Sequence, residues 1–190
     1  LLVERSCYDE VVEIARRAAG ATAVGNPEEE GDHIGPLFDQ IQFDRVQNMI
    51  QVGIDEGATL LVGGLGRPEG FDAGWYVRPT VFSDVNNTMR IAREEIIGPV
   101  LAIIPFDDEE AAVEIANDTP YGLAAYVQTG SPERAARLSR SLRAGAVHIN
   151  GGAYEYGSPF GGYKASGNGR EGGEMGLEDF LETKMVHGLA

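Results

Sequence analysis

The chain reads as an α/β protein whose later half builds a parallel sheet. Two observations carry this. Between Val100 and Asn150, short apolar runs alternate with helical patterns: 100–104, then a helix closed by Asn117-Asp118-Thr119-Pro120, then 123–127, then a helix opened by Ser131 and Pro132, then 146–149. These runs are also apolar enough to be buried on both faces, as expected of strands covered by helices on each side.

The elements follow in order. Residues 1–5 have a strand pattern, and Ser6 with Asp9 has capping-box spacing. Tyr8, Val11, Val12, Ala15, Ala18 and Ala19 then recur at helical spacing, with Gly20 as the stop. Residues 22–37 are rich in Gly, Pro and carboxylates without apolar periodicity, and read as a surface loop. A second helix places Phe43, Val46, Ile50 and Ile54 on one face and stops at Gly57. Residues 59–62 and 76–82 read as strands around a Gly/Pro turn region. Asp107 and Glu110 have cap spacing for the next helix, and the helix begun at Ser131-Pro132 is expected to end near Gly145. From Asn150 to Gly176 the composition turns to Gly, Tyr and Ser, a loop long enough to expect function in it. Residues 183–187 have a strand pattern with no hairpin partner nearby, so pairing with a distant strand or another subunit is expected. A chain that opens inside a strand pattern, with no initiating Met, is expected to be cut from something longer.

With 190 residues, 43% of them hydrophobic, the chain has enough apolar material for a packed core. Its formal net charge of -15 argues against nucleic acid and anionic membrane surfaces as partners, because both are bound through clustered basic side chains. No run approaches the roughly 20 apolar residues of a membrane-spanning helix. One cysteine forms no internal disulfide and there is no secretory leader pattern, so a reducing, cytoplasmic setting is expected.

Taken alone, the chemistry-bearing residues stay ambiguous. Cys7, in the first turn of a helix, has a position that lowers a thiol pKa, but no base is placed near it by any motif, and a small apolar role is the stronger reading. Gly167-Asn168-Gly169-Arg170-Glu171-Gly172 matches G-x-G-x-x-G, yet no buried strand precedes it, which favours tight turns and close chain packing over pyrophosphate binding. His33, His148 and His187 have no metal-ligand spacing with one another or with Cys7. Glu94-Glu95 reads as a solvated turn, though a carboxylate also accepts hydrogen bonds from ribose hydroxyls. Lys164 and Arg170 are expected in salt bridges with some of the many carboxylates, with anion binding as the alternative.

A family resemblance narrows this. Arg93-Glu94-Glu95-Ile96-Ile97-Gly98-Pro99-Val100 resembles the E-E-I-F-G-P-V motif of the aldehyde dehydrogenase superfamily. Gly35-Pro36-Leu37, Tyr76-Val77-Arg78-Pro79-Thr80-Val81 and Asn117-Asp118-Thr119-Pro120-Tyr121-Gly122-Leu123-Ala124 resemble further signatures in the family's order. So does Pro159-Phe160-Gly161-Gly162-Tyr163-Lys164, continuing through Ser166-Gly167-Asn168-Gly169-Arg170-Glu171. Together they span nearly the whole chain.

The resemblance implies the C-terminal part of an aldehyde dehydrogenase catalytic domain, as residues 1–176, followed by an oligomerisation segment with a strand, 177–190. It implies oxidation of an aldehyde to an acid with NAD or NADP through a cysteine thiohemiacetal. The nucleophile, the general base and the phosphate site fall upstream of Leu1, so no catalytic residue and no metal ligand is assigned, and the chain alone is expected to be inactive. Glu95 matches the glutamate that binds the nicotinamide ribose, and Ile97 stands where the family has phenylalanine. Phe160 matches an aromatic lining the aldehyde tunnel, and Tyr154 lies in the neighbouring variable loop. The partners implied are an aldehyde and further copies of the same chain. A naturally truncated, non-catalytic interaction protein of the same fold is the alternative.

Overall fold

The computed structural model describes residues 1–188, and the described residues fall into two compact units divided between Ala112 and Val113. In the first unit the elements are β1 (Leu2–Glu4), α1 (Tyr8–Ala21), β2 (Ala23–Val24), β3 (His33–Ile34), α2 (Gln40–Asp55), β4 (Thr59–Val62), β5 (Thr80–Ser83), α3 (Arg90–Arg93), β6 (Val100–Ala102) and β7 (Ile104–Phe106). Helix α4 (Glu109–Asn117) contains the division, and β8 (Ala124–Val127), α5 (Pro132–Ser141), β9 (Ala146–Ile149) and α6 (Gly173–Glu178) follow.

Among the described residues the strands of the first unit fall into separate small sheets, and the largest, β4-β5-β6, is mixed rather than parallel. Strand β5 pairs antiparallel with β4 and parallel with β6, while β1 pairs parallel with β7. The apolar run at 100–104 is accordingly two strands. Ile103 N–H donates to the Phe82 carbonyl at 2.9 Å, and the next amide, Ile104, donates to the Leu1 carbonyl at 2.9 Å, so the backbone changes partner at one fully buried residue. Periodicity does not reveal such a change, because both partners are apolar.

Strand β5 is buried throughout, and its side chains alternate between two layers. Val81 joins Val3, Tyr8 and Ile103 in a cluster covered by Val11, Val12, Ala15 and Ala19 of α1. Phe82, pointing the other way, meets α2 where Gly53 leaves room: a Cβ there would lie 3.2 Å from the Phe82 ring and 3.0 Å from Ile91. Burying Phe82, Val81, Ile50 and Val46 completely contributes roughly 1.5–3 kcal/mol each. The buried stripe of α2 is Val46, Met49, Ile50 and Gly53; Ile54, expected on that face, is 37% exposed.

Local signals hold in part. Asp39 caps α2 through the Gln42 amide at 2.8 Å, and Ser131 caps α5 through the Arg134 amide at 3.2 Å with Pro132 at the first turn. The Ser6–Asp9 capping box does not form: Ser6 sits in a 3-10 turn and its hydroxyl donates to Glu4 at 3.3 Å. Asp108 rather than Asp107 caps α4, accepting from Ala111 N–H at 2.8 Å, while Asp107 is taken by Arg5. The loop 22–37 contains the short parallel pair β2–β3, too brief to leave a pattern.

In the second unit β8 and β9 are parallel and joined through α5, a β-α-β turn as expected. They are not buried on both faces, however: Tyr126 is 76% exposed, and only Val127 of β8 is buried. Helix α5 ends at Ser141, four residues before Gly145. Residues 181–188 lie outside any helix or strand among the described residues, so the expected strand at 183–187 is not formed within the chain, and residues 189–190 fall outside the described part.

Candidate functional site

Three backbone carbonyls in succession shape the segment at Glu94–Pro99. Gln42 Nε2 donates to the Ile96 and Ile97 carbonyls at 2.9 and 2.7 Å, and Arg45 donates to the Glu95 carbonyl at 2.7 Å. Both donors stand one turn apart on α2, so the helix grips the loop through main chain and leaves its side chains to alternate. Ile96 goes into the core at 8% exposure, whereas Ile97 is 55% exposed and Glu95 is exposed. Gly98 lets the loop touch the helix, since a Cβ there would lie 2.7 Å from Val46.

The two adjacent glutamates are separated by their neighbours. Arg90 Nε and Nη2 donate to the Glu94 carboxylate at 2.7 and 3.2 Å, which holds that carboxyl below the usual carboxylate range. No donor among the described residues reaches the Glu95 carboxylate, which is exposed with its acceptor sites open.

Ile97 adopts φ +57°, in the left-handed region that β-branched residues rarely enter. Such conformations cost on the order of 1–3 kcal/mol and persist where the surroundings over-determine them, here through the Gln42 clamp. Ile97→Gly is therefore expected to raise the unfolding free energy of the full-length protein by about 1 kcal/mol, the relief of strain exceeding the added freedom of the unfolded chain. Urea denaturation checks this, and a lower midpoint would show that the conformation is unstrained.

In the second unit, Tyr154 and Phe160 meet edge to face, with ring centroids 6.4 Å apart and planes at 80°. Both rings remain partly open, at 49% and 43% exposure. The Tyr154 hydroxyl donates to the Ser158 carbonyl, and Phe160 exchanges two backbone hydrogen bonds with Glu171, at 2.7 and 2.8 Å. The two residues thus form one small aromatic surface at the mouth of a loop.

Behind that loop the chain is knotted by backbone. Lys164 Nζ donates to the Asn117 and Thr119 carbonyls at 2.8 and 3.1 Å, and Ala165 N–H donates to Pro120 at 2.9 Å. The Gly122 carbonyl accepts from both Gly145 and Tyr163. Arg170 Nη1 donates to the Gly162, Asn168 and Gly169 carbonyls. The expectation of salt bridges or an anion at Lys164 and Arg170 is corrected: both cations are taken up by carbonyl oxygens, because these tight turns leave carbonyls without amide partners. The G-x-G-x-x-G segment serves turns, with Gly167 and Gly172 at φ +94° and +79°. The Asn117–Ala124 and Pro159–Glu171 motifs are this knot. Gln42 and Arg45 have no signal in sequence, since they act on residues 50 or more positions away.

A sequence model of the aldehyde dehydrogenase family matches residues 1–186. The chain belongs to the aldehyde dehydrogenase family. Among aldehyde dehydrogenases and their relatives, it is 52% identical over 188 residues to a 3-succinoylsemialdehyde-pyridine dehydrogenase of a Pseudomonas species, covering 99% of this chain and 39% of that protein. It is 46% identical to a putative aldehyde dehydrogenase of Staphylococcus saprophyticus, covering 98% of this chain and 39% of that protein. Among solved structures it is similar to a mutant aldehyde dehydrogenase C of Pseudomonas syringae in complex with NAD+ and octanal. There the TM-score is 0.95 at 51% identity, covering 100% of this chain and 39% of the other. The Mycobacterium tuberculosis aldehyde dehydrogenase complexed with NAD+ gives a TM-score of 0.90 at 51% identity, covering 94% of this chain and 37% of the other. The chain therefore spans about two-fifths of the length of these aldehyde dehydrogenases.

Proposed function

We propose that this chain is part of an NAD(P)-dependent aldehyde dehydrogenase that oxidises an aldehyde to a carboxylic acid through a cysteine thiohemiacetal. The family match over residues 1–186 carries the reading. The nucleophile and general base belong to the part of such a protein that precedes Leu1, and the chain alone is inactive. Residues 1–176 form the catalytic-domain portion, and 177–190 form an oligomerisation segment that pairs with another copy, in a cytoplasmic enzyme. That no helix among the described residues is long and apolar enough to cross a membrane is compatible with this.

The chain's own residues bind and orient. NAD or NADP, when bound, supplies the hydride acceptor. The Glu95 carboxylate, open to donors, accepts the nicotinamide ribose hydroxyls, and Ile97 gives the apolar contact the family makes with phenylalanine, over a smaller flat area. The α2 clamp keeps both side chains turned outward. Tyr154 and Phe160 line the aldehyde path and exclude water from it, which favours apolar aldehydes.

Aldehyde-dependent NAD(P)H formation by the full-length protein tests this. Glu95→Ala is expected to raise the cofactor KM about tenfold, the worth of one charge-assisted hydrogen bond. Phe160→Ala is expected to move the aldehyde KM instead. A wild-type protein that forms no NAD(P)H with any of a panel of aliphatic and aromatic aldehydes would sink the proposal.

A further inference from the structure

His148 stands on β9 directly opposite Tyr126 of β8. Their rings stack at 4.8 Å with planes 14° apart, which fixes the imidazole plane. So held, Nδ1 lies 2.8 Å from the Gly152 carbonyl oxygen. A carbonyl only accepts, so Nδ1 carries the proton, in the neutral and the charged ring alike.

The carbonyl it grips sits at a particular place in the chain. Strand β9 ends in a turn whose residues Asn150 and Gly151 have φ +51° and +77°, closed by Gly152 N–H to the Ile149 carbonyl at 2.9 Å. Asn150 anchors the near side: its amide oxygen accepts from Thr129 N–H at 2.8 Å and its amide nitrogen donates to the Thr129 carbonyl at 2.9 Å. Beyond Gly152 comes the stretch carrying Tyr154. Its far end is tied at Phe160 by the bridge to Glu171. Among the described residues, the His148 hydrogen bond is the side-chain tie that lies between the turn and the stretch carrying Tyr154.

We propose that His148 is a positioning residue for aldehyde specificity, holding the Gly152 carbonyl and thereby fixing where Tyr154 stands against Phe160. The inference rests on the reading of those two aromatics as aldehyde-lining. His148 itself touches no reacting atom; it acts through the loop.

Two variants of the full-length enzyme separate the hydrogen bond from the ring. His148→Phe keeps a flat ring for Tyr126 but has no donor, whereas His148→Asn puts an amide N–H near the place of Nδ1 and loses the stacking. The aldehyde KM is expected to rise about three- to tenfold in His148→Phe, with the cofactor KM unmoved, and to return toward the wild-type value in His148→Asn. Amide hydrogen exchange over 151–158 is expected to speed up in His148→Phe and not in His148→Asn. An unmoved aldehyde KM in His148→Phe, or equal damage in both variants, overturns the proposal. If Phe160→Ala shifts the aldehyde KM while His148→Phe does not, the fault lies with His148 alone; if neither shifts it, the aldehyde-lining reading fails as well.

Discussion

Gly145→Ala is expected to cost the full-length protein at least about 3 kcal/mol of stability, enough to leave much of it insoluble. A Cβ at Gly145 would lie within van der Waals overlap of three backbone atoms: the Gly161 carbonyl oxygen, at 1.7 Å, the Gly161 carbonyl carbon, at 2.7 Å, and the Gly162 Cα, at 3.0 Å. None of these is the tip of a flexible side chain. Relief would require the two segments to separate, and they are already bound together, since the Gly122 carbonyl accepts from both Gly145 and Tyr163. Gly130→Ala is the matched control, because a Cβ there meets nothing within 4 Å, and it should fall within about 1 kcal/mol of the parent. Urea denaturation of both variants checks the contrast; equal midpoints would mean that residues 145 and 161 are not in contact.

Lys164→Met should cost about 3 kcal/mol. Methionine matches the lysine stem and leaves the Asn117 and Thr119 carbonyls without their shared donor, at a part-buried position. Asn117 is engaged a second way: its side chain donates to the Ser141 carbonyl at 2.9 Å and accepts from Arg143 N–H at 2.8 Å, tying the end of α5 to the same loop. Loss of the ammonium therefore loosens the turn that enters β8 and the one that leaves α5. Lys164 also has φ +54°, in the left-handed region. Denaturation measured at low and at high salt discriminates the cause. A loss that persists at high salt fits partly buried hydrogen bonds, whereas one that vanishes would point to a screened surface charge.

What was legible in the sequence divides along the reach of the interaction. Strand β9, strand β4 and the Ser131-Pro132 start of α5 carry their signal in their own consecutive residues, and they stand where pattern placed them. Asp107 and Asp108 are equally good caps locally; which one serves is decided by Arg5, 102 positions away, which takes Asp107. Ser6 fails as a cap for the same reason in miniature, because a 3-10 turn intervenes before the helix. The break at Ile103 is invisible because it marks a change of partner and not of composition. The candidate site shows the same split. The family motifs point to Glu95, to position 97 and to Phe160, with Tyr154 in the loop beside it, but they give no reason why Glu95 rather than Glu94 is open. That reason is Arg90, four residues before Glu94. Nor do they point to Gln42 and Arg45, whose targets are main-chain atoms that carry no residue identity.

The stretch from Gly151 to Ser158 is fastened at both ends by contacts that do not depend on its own side chains: Asn150 to Thr129 on one side, Phe160 to Glu171 on the other. Between those fastenings the segment is held by few positions of its own, chiefly Gly157, whose φ is +92° and whose carbonyl oxygen would lie 2.3 Å from a Cβ at Gly173. The scaffold on either side stays under a much harder constraint, one written in glycines.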